Sequence, residues 1–146
     1  MDYSVSREYI ESFSIEQLES IARIRSSVVL KRFVKIIVRV NDREYDPGVW
    51  VYIGSRRDHI VIPKTYCSCK QFIIRVMSEK ESPSCIHLLG QILAEERGLY
   101  RVVVADLDSY VKIVNEVIDY SRSRVLRKIL YSKRDSIYGE EVGGNG

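Results

Sequence analysis

The sequence predicts an α+β domain, a small antiparallel sheet or hairpin flanked by N- and C-terminal helices. Three observations predict it. Segments with helical apolar spacing stand toward both ends of the chain. β-Branched runs cut by turn residues lie between them. A knot of cysteines and a histidine then marks where the last strand gives way to a helix. At 146 residues the chain fits one domain with a modest core and no need of disulfides. Hydrophobic residues make up 45% and charged residues 29%, a globular balance. No apolar run approaches the ~18 residues that a membrane span needs.

The elements follow in order. Ser14-Ile15-Glu16-Gln17 has the form of a capping box, and Ile15, Leu18, Ile21, Ile24 and Val28 follow at helical spacing. A first helix over about Ile15 to Leu30 is expected. Val34 to Val40 reads as a strand with Lys35 and Arg39 on one face. Asn41-Asp42 and Asp46-Pro47-Gly48 are turn signals. Residues 49–53 and 58–62 read as two more strands, joined by the polar hairpin loop Gly54-Ser55-Arg56-Arg57. Gln71 to Met77 suits a short helix or a further strand, and periodicity does not decide between them. Ile86 to Arg97 is helical, with Gly98 as its C-terminal cap. Residues 101–104 form a short extended piece. Asp106 or Asp108 caps a long final helix, broken near Ser121-Arg122-Ser123. Glu140 to Gly146 reads as a disordered tail.

The strongest chemistry lies in the cysteines. All three fall between residues 67 and 85, an odd number that cannot pair off completely. The N-terminus has neither the basic nor the apolar region of a signal peptide, so a cytoplasmic location with reduced thiols is expected. Cys67 and Cys69 are two apart, and on an extended chain both point to one face. Cys85 and His87 share that spacing but sit at a helix start. Inside a helix they would lie about 200° apart. Cys85 must therefore precede the first turn while His87 lies within it. Three soft sulfurs and an imidazole make a closed tetrahedral set, which points to one structural Zn²⁺ per chain and leaves no position for an activated water. Buried apolar cysteines beside a solvated histidine are the alternative reading.

Cys67-Ser68-Cys69 followed by Cys85-Ile86-His87 resembles the SWIM zinc finger, whose pattern is C-x-C, a variable gap, then C-x-H. Phe72, just after the first pair, also resembles that family. The resemblance covers about residues 48 to 97 and implies two strands before the first ligand pair and a helix bearing the second. Read this way, residues 1–33 are an N-terminal helical segment, 34–98 a SWIM-type finger region, 99–134 a C-terminal helical segment and 135–146 a tail. SWIM domains bind DNA or proteins. The small stand-alone, archaeal-like form is similar to Shu-type recombination mediators, which work with recombinase paralogues. That subgroup tends to carry Ala three residues after the histidine, where this chain has Gly90.

Other surfaces are read from charge and spacing. The formal charge is only +3, so the placement of charges outweighs their sum. Arg122, Arg124, Arg127, Lys128, Lys133 and Arg134 form a basic cluster, to which Arg56 and Arg57 of the hairpin loop can add. As nucleic-acid contacts, Arg56, Arg57, Arg122, Arg124, Arg127 and Lys128 would meet phosphates; as plain surface they would be a solvated face complementing the helix dipole. Tyr52 and Trp50 can stack on bases if exposed, although Trp50 suits a core better. His59 reads as an ordinary strand residue rather than a fifth ligand. Leu107, Val111, Val114, Ile118, Val125 and Ile129 form a stripe assigned mainly to the core, with a homodimer seam as the lesser reading, and Tyr110, Ile113, Val117 and Leu130 widen it. No nucleophile–base pair, Gly-rich phosphate loop or two-histidine zinc motif is present, so an enzyme is not expected. The expected function is a non-catalytic accessory factor that binds DNA, a recombinase-type partner, or both. The alternative is a protein adaptor without DNA contact.

Overall fold

The computed structural model describes residues 3–78 and 84–132. Lys133, Arg134 and the tail expected at the C-terminus lie outside them. Helices α1 (Tyr3–Glu11), α2 (Ile15–Glu19) and α3 (Ala22–Val29) lead into β1 (Phe33–Val40), β2 (Arg43–Tyr45), β3 (Trp50–Ile53), β4 (Asp58–Ile62) and β5 (Tyr66–Cys67). A π-helical segment, Gln71–Ser78, comes next, then α4 (Ile86–Arg97), β6 (Arg101–Asp106), α5 (Leu107–Tyr120) and α6 (Arg124–Tyr131).

The capping box at Ser14 forms as expected, with Ser14 and Gln17 bonded reciprocally. The helix expected over residues 15–30 is two helices. Ile21 is extended at φ −87°, ψ 110°, and the bend is held where the Arg25 guanidinium donates to the Glu19 carbonyl at 2.7 Å. Asn41 and Asp42 both take positive φ, 51° and 65°, the backbone of a tight two-residue hairpin turn.

The strands form one mainly antiparallel sheet. β1 pairs with β3 through Phe33–Lys35 and with β2 through Val38–Val40. β6 runs parallel to β1 from Val34 to Arg39, so it takes the opposite edge, while β2 and β3 lie end to end along the other. β4 and β5 follow beyond β3.

Side-chain alternation gives the sheet two apolar faces, each covered by helices. Phe33, Trp50 and Val61 face one way, against Leu18, Ile24, Val28, Leu88 and Leu93 of α2, α3 and α4. Val34, Ile36, Val51, Ile53, Ile60, Val103 and Ala105 face the other way, against Ile113, Val117, Leu126 and Leu130 of α5 and α6. The expected core stripe on α5 is thereby corrected. Ile113 and Val117 are buried, while Leu107, Val111 and Ile118 are about half exposed, at 53, 46 and 52%. The helix rolls its second stripe onto the sheet and leaves much of the first outside. Among the described residues no helix is long and apolar enough to cross a membrane.

Candidate metal centre and basic face

β5 delivers Cys67, and Cys69 follows at the bend beyond its end. Between them Ser68 turns toward β4: its N–H donates to the Ile60 carbonyl at 2.9 Å, and its hydroxyl accepts from the Ile60 N–H at 2.8 Å. That two-way bond fixes both cysteines on the face away from Ser68. Cys85 is the N-terminal cap of α4, extended at φ −125°, ψ 164°, and His87 lies in the first turn. The C-x-C strand end thus meets the C-x-H helix start, as the spacing requires.

The ligand atoms of Cys67, Cys69, Cys85 and His87 all lie within 4.8 Å of one another. The three cysteines are buried and unbonded to one another by disulfides. Cys67 Sγ stands 3.6 Å from His87 Nδ1. A tetrahedral zinc at ~2.3 Å from sulfur and ~2.05 Å from nitrogen would set that separation at about 3.6 Å. The donor set and spacing therefore fit a metal ion, with Nδ1 as the ligating nitrogen. The Phe72 N–H donates to Cys69 Sγ at 3.3 Å, a bond that steadies a thiolate.

The thiols hold one another in unequal states. Hydrogen bonds to Cys69 and Cys85, then burial, raise Cys67 far above the usual thiol range. Hydrogen bonds from Cys67 and Cys85 lower Cys69 far below it. Cys85 is pushed up to about 12: the bond with Cys67 lowers it, but the bond with Cys69, burial and the Cys69 charge outweigh that.

Two aromatic rings flank His87. Tyr52 and His59 are cross-strand partners on β3 and β4. Their ring centroids lie 4.4 Å and 4.8 Å from that of His87. Burial, then the charge of His87, lowers the His59 pKa. His59 stays outside the four-ligand group and packs against it. Two residues after His87 in the same helix, Leu89 is buried, and next to it Gly90 meets the Phe33 ring so closely that a Cβ there would lie 2.8 Å from Phe33 Cζ.

The residues proposed for phosphate contact do not all share a fate. Arg122 donates to the Arg56 carbonyl at 3.3 Å, so the α5–α6 link rests on the β3–β4 hairpin and brings Arg56, Arg57 and Arg122 together. Arg124 and Lys128 are exposed on α6. Arg127 differs and is a correction: it is 8% exposed and forks onto the fully buried Asp58. Its Nε donates to Asp58 Oδ2 at 3.0 Å, its Nη2 to Asp58 Oδ1 and, at 2.9 Å, to the Gly54 carbonyl. Asp58 Oδ2 also accepts from the Ser123 N–H at 2.9 Å. Arg127 is thus a fastener between α6 and the hairpin, its guanidinium engaged by Asp58 and the Gly54 carbonyl rather than presented to solvent. Trp50 is likewise buried, at 2% exposure, against Tyr100, and offers no face to a base.

Sequence reasoning missed the aromatic flank around His87. Strand register brings Tyr52 and His59 together, and no local pattern announces it. Comparison with protein-family models, curated proteins and solved structures finds no match.

Proposed function

We propose that this chain is a non-catalytic binding module of the SWIM type, stabilised by one structural zinc and acting on DNA as an accessory factor. The supporting observation is a division of labour across the sheet. Four protein ligands converge at the joint of β5 and α4, filling a tetrahedral set, while Arg56, Arg57, Arg122, Arg124 and Lys128 gather on the hairpin and α6. A closed set of four ligands leaves the ion a scaffolding role. Exposed cations on a rigid support suit phosphates. A role beside a recombinase-type partner rests on the resemblance of Cys67-Ser68-Cys69 and Cys85-Ile86-His87 to the SWIM pattern.

A second reading, a protein adaptor, is favoured by the exposed row Leu107, Val111 and Ile118 on α5. Fluorescence anisotropy separates the two. The DNA reading expects binding that weakens with salt and shows little sequence preference. Joint replacement of Arg124 and Lys128 by Ala should flatten the slope of log K against log salt by about 1.4 to 1.8, for two phosphates lost. Failure of the wild-type protein to bind DNA at tens of micromolar and low salt would leave the adaptor.

A further inference from the structure

We propose that the nucleic acid is single-stranded and that it crosses Tyr131, which stands between two cationic grooves. This rests on the nucleic-acid reading above and goes beyond it in naming the ligand's form and a stacking residue.

The observation is topographic. Tyr131, the last residue of α6, is 65% exposed. On one side it lines an open groove with Arg122, Arg124 and Lys128. On the other it lines a second groove with Lys31, Arg32 and Arg101, floored by Val29, Leu30 and Ile53. Among the described residues no carboxylate lines either groove. The described residues of this face are thus mainly basic, which the net figure of +3 conceals.

The second groove is built by the fold. It lies where α3 ends, β1 and β6 begin and β3 finishes, so residues far apart in sequence meet there. Arg32 Nη1 donates to the Ile53 carbonyl at 3.0 Å, and Arg122 to the Arg56 carbonyl. A neutral carbonyl orients a guanidinium without cancelling its charge, and the remaining N–H groups keep their capacity for phosphate.

Form follows from the aromatic. A duplex shows phosphates outside and keeps its bases stacked within, so an exposed ring between two cationic walls has no base face to meet. A single strand offers both: phosphates reach the cations on either side, and one base stacks on the ring. Val29 and Leu30, 63% and 58% exposed, extend the apolar floor beside that ring.

The test is anisotropy of a fluorescein-labelled 20-mer of thymidine, single-stranded or, annealed to its complement, duplex. Tyr131→Ala should weaken single-strand binding roughly tenfold and leave duplex binding within twofold, while Tyr131→Phe binds as wild type. Lys31→Asn, chosen because position 31 holds a positive φ of 53° that Asn accepts, should flatten the single-strand salt slope by about 0.7. Unchanged melting temperature and metal content of the Tyr131 and Lys31 variants certify the fold. Wild-type preference for duplex, or undiminished single-strand binding by Tyr131→Ala, overturns this inference and leaves the phosphate surface of α6 standing. Absence of wild-type binding to either form overturns both.

Discussion

Replacing Arg127 by Ala should cost far more than a surface arginine would. The Asp58 carboxylate is fully buried and accepts from two guanidinium nitrogens, Nε and Nη2, together with one backbone N–H from Ser123. Removal of the arginine leaves a charge in the interior with a single remaining donor. Breaking a buried pair in this way costs about 3–5 kcal/mol, whereas losing an exposed pair costs under about 1 kcal/mol. For a domain of this size the melting temperature should fall by about 10–20 °C. The arginine also donates to the Gly54 carbonyl, so the hairpin and α6 loosen together. Replacing both partners, Asp58→Asn with Arg127→Met, should recover at least half of the loss, since the interior charge goes with the cation. Thermal and urea denaturation of the two variants provide the measurement. A single variant within about 1 kcal/mol of wild type would refute the reasoning and return Arg127 to the surface.

Two further outcomes follow from the metal side of the sheet. Gly90→Ala should destabilise by up to about 2 kcal/mol in urea denaturation, because crowding Phe33 costs about 1–3 kcal/mol while the helix gains about 1 kcal/mol from alanine; in a Phe33→Leu background the same change should be neutral or favourable. Metal uptake should release protons and strengthen as pH rises through neutrality, since Cys67 and Cys85 are both held above the usual thiol range and must ionise to bind; calorimetry in buffers of different ionisation enthalpy measures the release, and uptake without protons would contradict it.

The ligands were legible because spacing translates directly into direction. An i, i+2 pair on a strand converges, and the same pair in a helix diverges, so the spacing alone requires Cys85 to stand ahead of α4, where it is the N-terminal cap. β1, β3, β4 and α4 were legible from β-branched runs and from Gly98, which takes the left-handed cap at φ 66°. The break at Ser121–Ser123 and the Asp106 cap were legible for the same local reason.

What local pattern could not supply was tertiary. The bend at Ile21 interrupts an apolar period that runs on through it; Arg25 bridges it locally, and the Glu19–Arg97 ion pair to α4 holds it from outside. The parallel pairing of β6 with β1 joins residues over sixty positions apart. On α5 two adjacent apolar stripes compete for the sheet, and spacing alone does not say which one wins. Arg127 shows the same limit in charge: a basic run in sequence reads as one surface until a buried carboxylate claims one member.

The central claim is that a single zinc ion ties β5 to α4 through Cys67, Cys69, Cys85 and His87. The direct measurement is the metal content, by inductively coupled plasma mass spectrometry, of protein purified without added zinc and without a metal-affinity tag, paired with the melting temperature of Cys85→Ser. The account predicts one zinc per wild-type chain and a variant that loses both the ion and much of its stability. Folded wild-type protein with a stoichiometry near zero, or a zinc-free variant as stable as wild type, would contradict it.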